Sequence, residues 1–140
     1  MLLNTVRLPA ALLMSLFAFP VMADDEDTAA ICAEAEERYV DMFGHPSADE
    51  DGVTVVKMYK YKFCPENLSV PVGTTVRWVN VDKRTSHSVV LKEEGVPESD
   101  RLFPEENFEF TFLSAGPTQN YLCGPHWETQ EMIGMITVTH

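Results

Sequence analysis

Apolar residues recur at every second position in several short segments from residue 53 onward. The clearest case is Phe108, Phe110 and Phe112, which alternate with Glu109 and Thr111. This period is typical of a β-strand with one buried face, and glycine or proline separates several of the segments. The segments lie at residues 53–63, 68–72, 75–80, 108–112, 121–123 and 135–139. Many short strands of this kind predict an all-β chain folded as an antiparallel β-sandwich.

The first of these segments has the least regular pattern. Val53, Thr54 and Val55 alternate cleanly, but the phase then slips, and Met58 and Phe63 are mixed with lysines. A mixture of apolar and charged residues favours a strand with one face in water, so we expect a half-exposed strand here.

The chain begins with a segment typical of a secretory signal peptide. Arg7 precedes a short apolar run over residues 8–19, and Val21-Met22-Ala23 ends in a small residue suitable for cleavage. The run is too short for a transmembrane helix, which needs about 20 apolar residues. We therefore expect cleavage after Ala23, export to the periplasm of a bacterium, and no membrane span in the mature protein.

The mature chain divides into an extension and a domain. Residues 24–52 are acidic and partly helical, because Thr28 can cap a helix that runs to Met42, after which Gly44 begins a loop. Removal of 23 from 140 residues leaves 117, which suits one compact domain, assigned here to residues 53–140.

The charge of the chain limits its partners. The formal net charge is -12, and it becomes -13 after cleavage because Arg7 is the one charged residue removed. An acidic chain is a poor binder of nucleic acid and of anionic membranes. It suits a basic protein partner, although solubility alone explains the charge equally well.

An odd number of cysteines, three, leaves one thiol unpaired in an oxidising compartment. Cys123 is the natural candidate, because His126 and Met132 follow it closely. Thiolate and imidazole ligands suit copper or zinc, whereas calcium and magnesium prefer oxygen ligands. Two histidines, one cysteine and a distant methionine form the trigonal site that favours copper.

This site needs a second histidine, and the chain offers His45, His87 and His140. His45 lies in the extension and His140 is the terminal residue. His87 lies where a loop meets an apolar segment, so it is the preferred candidate. The sequence has no C-x-x-C motif, and therefore neither haem attachment nor a zinc ribbon is indicated.

Several of these motifs, taken in order, resemble the blue-copper cupredoxins of the plastocyanin, pseudoazurin and amicyanin type. They lie at residues 63–70, 73–80, 87–89, 121–126 and 132–138. The resemblance covers residues 53–140 and implies a Greek-key β-sandwich with one type 1 copper ion. The implied ligands are His87, Cys123, His126 and Met132.

The ligand loop departs from the family pattern. Five residues separate His126 from Met132, one more than is typical of plastocyanin-like loops, and amicyanin-like loops are shorter still. Met132 is the preferred axial ligand because it begins the family's Met-x-Gly-x-Ile/Val-x-Val ending. Met135 and Gln130 remain alternatives.

The resemblance also suggests roles for residues around the ligands. Ser88 is expected to tie the two ligand loops together, and Asn80 and Pro125 are expected to lie beside the ligands and orient them. His126 and Trp127 are expected to form the surface at which a redox partner docks.

The two remaining cysteines, Cys32 and Cys64, predict a disulfide that joins the extension to the sandwich. Four protein ligands leave no open position for a substrate, so we do not expect an enzyme. The predicted function is one-electron transfer by a monomer between redox proteins, such as a c-type cytochrome and a terminal oxidase or reductase. The alternatives are a periplasmic copper carrier or buffer, and a redox subunit permanently docked on an oxidase or reductase.

Overall fold

Two α-helices and two β-sheets form the part of the chain that the computed structural model describes, namely the backbone of residues 23–140 and the side chains from residue 27. Helix α1 spans Ala23–Phe43, and the short helix α2 spans Trp127–Gln130. The strands are β1 Thr54–Tyr59, β2 Lys62–Cys64, β3 Asn67–Pro71, β4 Thr75–Asn80, β5 Asn107–Thr111, β6 Gly116–Leu122 and β7 Ile133–Thr139. Apart from Ala23, the predicted signal peptide lies outside the described residues.

The strands form a four-stranded sheet in the order β2-β1-β4-β5 and a three-stranded sheet in the order β3-β7-β6. The predicted β-sandwich is therefore confirmed. Two pairs, β1 with β4 and β3 with β7, are parallel, so the sheets are mixed and not purely antiparallel. The alternation of residues shows which face of a strand is buried, but it does not determine the direction of a neighbour that is distant in sequence.

Strand β1 is buried on both faces, and the predicted half-exposed strand is wrong. Val56 and Met58 belong to the core between the sheets, whereas Val55 and Tyr59 belong to a second core beneath helix α1. The apolar alternation is lost because both faces of this strand are buried, one between the sheets and the other beneath helix α1. The predicted single segment is a hairpin, in which β1 pairs with β2 after a turn at Lys60 and Tyr61.

Helix α1 packs on the outer face of the four-stranded sheet through Ala35 and Tyr39, which are almost fully buried. It begins before Thr28, so this residue lies inside the helix and is not its cap. Acidic residues are favourable in the first turn of a helix, and the acidic run before Thr28 therefore extends it. The helix ends at Phe43, where Gly44 adopts a left-handed conformation with φ +81°.

A partly buried ion pair joins the helix to β1. Lys57 donates a hydrogen bond of 2.7 Å from Nζ to Oε2 of Glu36, which also accepts bonds from the backbone and hydroxyl of Ser47. Burial raises the pKa of Glu36, but the hydrogen bonds from Lys57 and Ser47 outweigh it and hold the pKa below its usual value of 4.5. This charged contact explains how a lysine is accommodated in a strand covered on both sides.

Strands β6 and β7 carry the C-terminal part of the site. Strand β6 is an edge strand whose first residues are polar and exposed, and it begins at Gly116, earlier than the apolar pattern predicts. Strand β7 begins at Ile133 and passes Tyr121 so closely that a Cβ at Gly134 would lie 2.2 Å from the tyrosine ring. Glycine is therefore required at this crossing. No helix among residues 23–140 has the length and apolar character to cross a bilayer.

Candidate metal centre

Cys123 lies immediately after β6, at one end of the sandwich. Its side chain is fully buried, and its backbone N–H donates a 3.1 Å hydrogen bond to the carbonyl of Met132. The carbonyl of Cys123 accepts bonds from the N–H groups of His126 and Trp127, at 3.2 and 2.9 Å. This tight turn directs the imidazole of His126 back toward the thiol, and Cys123 Sγ lies 3.4 Å from His126 Nδ1.

His87 reaches the same point from a different part of the fold. It does not lie in a regular strand, but backbone hydrogen bonds in both directions pair it with Leu102. The imidazole is fully buried, with Nδ1 3.7 Å from Cys123 Sγ. The ligand atoms of His87, Cys123 and His126 all lie within 4.8 Å of one another, which is a separation that one metal ion can bridge.

The extended ligand loop folds as one helical turn. Helix α2 follows His126, and Glu131 then adopts a left-handed conformation with φ 52°. The N–H of Met132 donates to the carbonyl of His126 at 3.4 Å, which returns the chain to the Cys123 turn. The helical turn α2 therefore accommodates the additional residue of the loop.

The three residues considered as axial ligand have different environments. Met132 is fully buried in the same core cluster as Cys123. Met135 is 38% exposed on β7, and Gln130 is exposed on α2. Burial in the same core cluster as Cys123 therefore favours Met132 as the axial ligand.

Asp82, which the sequence analysis did not single out, holds the far side of the His87 ring. Its Oδ2 lies 2.6 Å from Nε2 of His87, and Nδ1 therefore faces Cys123. A carboxylate in this position fixes the tautomer and orientation of a histidine ligand. The D-x4-H spacing alone is too unspecific to have indicated this role.

Asn80 orders the loop that contains Asp82 and ends at His87. The buried amide donates to the carbonyls of Thr85 and Leu102, at 2.8 and 2.9 Å, and its oxygen accepts the N–H of Asp82 at 2.9 Å. Because backbone groups of Asp82, Thr85 and Leu102 converge on this side chain, Asn80 helps to set the position of Asp82 and, through it, of His87.

Ser88 connects the two loops. Its hydroxyl accepts a 3.0 Å bond from the N–H of Gly124 and donates a 2.5 Å bond to Oε1 of Glu98. A Cβ at Gly124 would lie 2.8 Å from this hydroxyl and 1.9 Å from Glu98 Oε1, so a larger residue here would displace the Glu98 carboxylate and disturb the Ser88 contact. Glu98 was also missed by the sequence analysis, since an exposed acidic residue in a loop carries no distinctive pattern.

Burial shifts the pKa of two candidate ligands in the metal-free protein. It raises the pKa of the Cys123 thiol, because a thiolate is disfavoured away from water. It also lowers the pKa of His126, and the neighbouring His87 contributes in the same direction. A neutral imidazole keeps a lone pair for a metal, and a bound cation would stabilise the thiolate.

Only part of the site reaches solvent. His126 and Pro125 are half-buried, and Trp127 is 39% exposed beside them. Lys92 places its ammonium over the indole of Trp127, 5.5 Å from the ring centroid. The two other histidines lie apart from the cluster: His45 lies in the extension and contacts Pro46 and Glu50, and His140 is exposed after the end of β7.

A disulfide joins Cys32 of helix α1 to Cys64 at the end of β2, and Cys123 is the free cysteine. The bridge ties the extension to the hairpin that follows it. It also leaves the Cys123 thiol as the one cysteine side chain available to a metal among residues 27–140.

Comparison with known proteins places this geometry in a family. The sequence model of copper binding proteins of the plastocyanin/azurin family matches residues 50–139. Amicyanin of Paracoccus denitrificans is 36% identical over 81 residues, covering 54% of this chain and 60% of amicyanin. Plastocyanin of Scenedesmus fuscus is 35% identical over 86 residues, covering 54% of this chain and 85% of the plastocyanin. The match with this amicyanin thus spans less than two thirds of its length.

Solved structures give the same result. A reduced amicyanin mutant superimposes with a TM-score of 0.54 at 31% identity, over 66% of this chain and 88% of the mutant. An oxidised amicyanin mutant gives a TM-score of 0.55 at 33% identity, over 64% and 85%. These likenesses confirm the predicted cupredoxin-like sandwich. The chain belongs to the plastocyanin/azurin family of copper-binding proteins.

Proposed function

We propose that this protein is an exported type 1 copper protein that carries one electron at a time between redox proteins. The observation that supports the proposal is the convergence of His87, Cys123 and His126 at one buried point, with Met132 beside it. A copper ion bound there would supply two accessible oxidation states. The donor set of two imidazoles, one thiolate and one thioether is the set that suits both states.

The surroundings of the ligands hold them in place. Asp82 fixes the ring of His87, and Ser88 joins its loop to the Cys123 turn. A site whose ligands are locked by hydrogen bonds and core packing changes its geometry little when the metal gains or loses an electron. We infer electron transfer and not catalysis, because four protein ligands leave no position for a substrate.

We infer that electrons enter and leave through His126. Its imidazole is the candidate ligand with solvent-accessible surface, whereas the side chains of His87, Cys123 and Met132 have none. Trp127 adds an exposed apolar surface next to it. Encounters between redox proteins bury little area, and charge governs their rate more than their final affinity.

The acidic chain favours a basic partner, such as a c-type cytochrome or a terminal oxidase or reductase. Glu128 and Glu131 are exposed within the loop that follows His126. Raising the salt concentration should slow transfer to a basic partner, because exposed charges are screened beyond about 8 Å at physiological ionic strength.

We also infer export, with cleavage after Ala23, a helical extension at residues 24–52 and a copper domain at residues 53–140. The apolar leader pattern supports export, and so does the Cys32–Cys64 disulfide, since such bridges persist in oxidising compartments. N-terminal sequencing of the protein recovered from a periplasmic extract tests the cleavage site.

Copper loading tests the site itself. The wild-type protein should show a strong visible thiolate-to-copper band and reversible reduction, and Cys123→Ser should lose the band. Met135→Leu is the matched control, because this residue is exposed and should leave the band intact. A colourless, redox-silent wild-type protein would refute the proposal. A copper buffer, in contrast, would bind the ion without reversible electron exchange with a partner.

Stopped-flow transfer to a basic cytochrome tests the docking surface. Trp127→Lys, and Glu128→Gln combined with Glu131→Gln, should slow transfer without changing the copper spectrum. Equal rates for all variants at every salt concentration would exclude this surface as the docking site and would favour a permanently docked subunit.

A further inference from the structure

The turn between β1 and β2 has an unusual backbone. Lys60 and Tyr61 both have positive φ angles, 47° and 60°, although neither is a glycine. Two-residue turns of this form strongly prefer Asn-Gly, and a bulky residue in this conformation is an outlier. Such outliers persist only where the surrounding structure holds them, and they cluster at functional sites.

This turn lies against the metal centre. The ring of Tyr61 packs edge-to-face on His126, with centroids 4.9 Å apart and planes at 71°. It also approaches the ring of His87, with centroids 6.4 Å apart and planes at 83°. The backbone N–H of Lys60 lies 3.5 Å from Oδ1 of Asp82, whose other oxygen contacts His87. The turn therefore lies against both imidazole rings and against Asp82, which contacts one of them.

Helix α1 is bonded to the hairpin on both sides of this turn. On the β1 side, Glu34 accepts a 2.5 Å bond from the hydroxyl of Tyr59 and a 2.6 Å bond from Lys60 Nζ. On the β2 side, the disulfide ties Cys32 to Cys64. The Glu34–Lys60 pair is half exposed and weak alone, so the covalent link and the bond from the buried Tyr59 supply most of the constraint.

We propose that the N-terminal helix is a brace for the metal centre. It holds the β1–β2 turn in its unfavourable conformation, and the ring of Tyr61 in turn restricts the orientation of the His126 imidazole. The inference rests on the proposed role of His126 as a ligand. Tyr61 acts here as a positioning residue, because its ring contacts the imidazoles and no direct contact with the metal is required.

A simpler role for the helix is to cover the outer face of the sheet, and the two roles predict different effects of one substitution. Glu34→Ala removes the contacts with Tyr59 and Lys60 but leaves the second core intact. The matched control is Glu37→Ala, an exposed position on the same helix. A covering role affects only the unfolding midpoint, whereas a brace also changes the environment of His126.

The primary measurement is the NMR spectrum of the His126 ring protons in the metal-free, full-length protein, where the neighbouring tyrosine ring shifts these resonances. Glu34→Ala should move them toward the positions of an unstacked imidazole, and Glu37→Ala should leave them unchanged. In the copper-loaded protein, Glu34→Ala should also shift the visible band and the reduction potential. Unchanged His126 resonances in Glu34→Ala would overturn the proposal.

A variant of the turn separates positioning from folding. Replacing Lys60 by Asn and Tyr61 by Gly retains the turn with its favoured residues and removes the ring. This variant should unfold no earlier than the wild type, yet its His126 resonances and copper spectrum should shift. Tyr61→Phe keeps the ring and should match the wild type in both. If the Asn-Gly variant leaves His126 unchanged, or if Tyr61→Phe shifts it equally, the ring is not the positioning element and the proposal is wrong.

The measurements also separate this inference from the copper assignment. The NMR readout requires no metal, so a protein that binds no copper could still show the predicted shift in Glu34→Ala. That result would refute the proposed function while showing that the helix still positions the His126 ring. A wild-type protein that binds copper in a blue, reversibly reduced centre, but whose His126 resonances do not change in Glu34→Ala, would support the proposed function and refute the brace.

Discussion

Glu36→Gln removes the charge that pairs with a lysine buried between the helix and the sheet. The side chain of Lys57 is only 11% exposed, and Glu36 Oε2 lies 2.7 Å from its ammonium group. Its other described hydrogen-bond partner is the hydroxyl of Ser47, at 3.0 Å. In the variant, the ammonium group stays largely buried without a counter-ion, which is an unfavourable state.

The size of the effect follows from this burial. Removing one partner of a fully buried ion pair costs about 3–5 kcal/mol. The side chain of Glu36 is 34% exposed, so solvent screens part of the interaction and reduces its contribution. We expect the free energy of unfolding to fall by about 2 kcal/mol. For a domain of this size, that loss lowers the melting temperature by roughly 8 °C.

Thermal unfolding of the metal-free protein at pH 7, followed by circular dichroism, measures this loss. Glu37→Gln is the control, because it removes the same charge from an exposed position one residue along the helix. Adding Lys57→Met to Glu36→Gln should recover stability, since an apolar side chain needs no counter-ion. Equal melting temperatures for Glu36→Gln and Glu37→Gln, or a double variant less stable than Glu36→Gln alone, would refute this account of the ion pair.

Three further predictions concern acid and the copper site. Because the pKa of Glu36 lies below its usual value of 4.5 in the folded protein, its contribution to stability is present above that pH and is lost as the pH falls below it. The melting temperatures of wild type and Glu36→Gln should therefore converge in acid, and a constant gap would contradict the assignment. Met132→Gln should lower the reduction potential measured by voltammetry, whereas Met135→Leu should change it little, and the reverse ranking would show that Met135 is the axial residue. Asp82→Asn should weaken copper binding by about 10–100-fold in a competition with a chelator, because His87 loses its orienting carboxylate, and an unchanged affinity would exclude this role.

The parts of the fold that the sequence predicts are those in which one face of an element meets the core. The aromatic strand β5 alternates clearly and lies close to where the pattern indicates. The burial of strand β1 was not predicted, because helix α1 covers its outer face and removes the apolar alternation. The start of β6 was not predicted because its first residues are exposed, and an exposed edge strand has no apolar alternation.

The candidate site divides in the same way. Cys123, His126 and Met132 are close in sequence, so the turn that gathers them is visible as a local motif. His87 is 36 residues from Cys123. The residues alone favoured it by elimination, and the family resemblance then implied it as a ligand. Asp82 and Tyr61 had no sequence signal, because their roles depend on contacts made across the fold.

The amino-acid sequence by itself determined the strand-rich class of the chain, the helical extension, the cysteine left for a metal and the short turn that presents it. These features depend on periodicity, residue chemistry and local spacing, which the chain carries wherever it folds. Only the tertiary structure decided that β1 runs parallel to β4, that Lys57 is buried against Glu36, and that the ring of Tyr61 lies against His126. Each of these is a contact between segments whose meeting is set by the packing of the whole domain, because no local pattern encodes which distant surface will cover a given face.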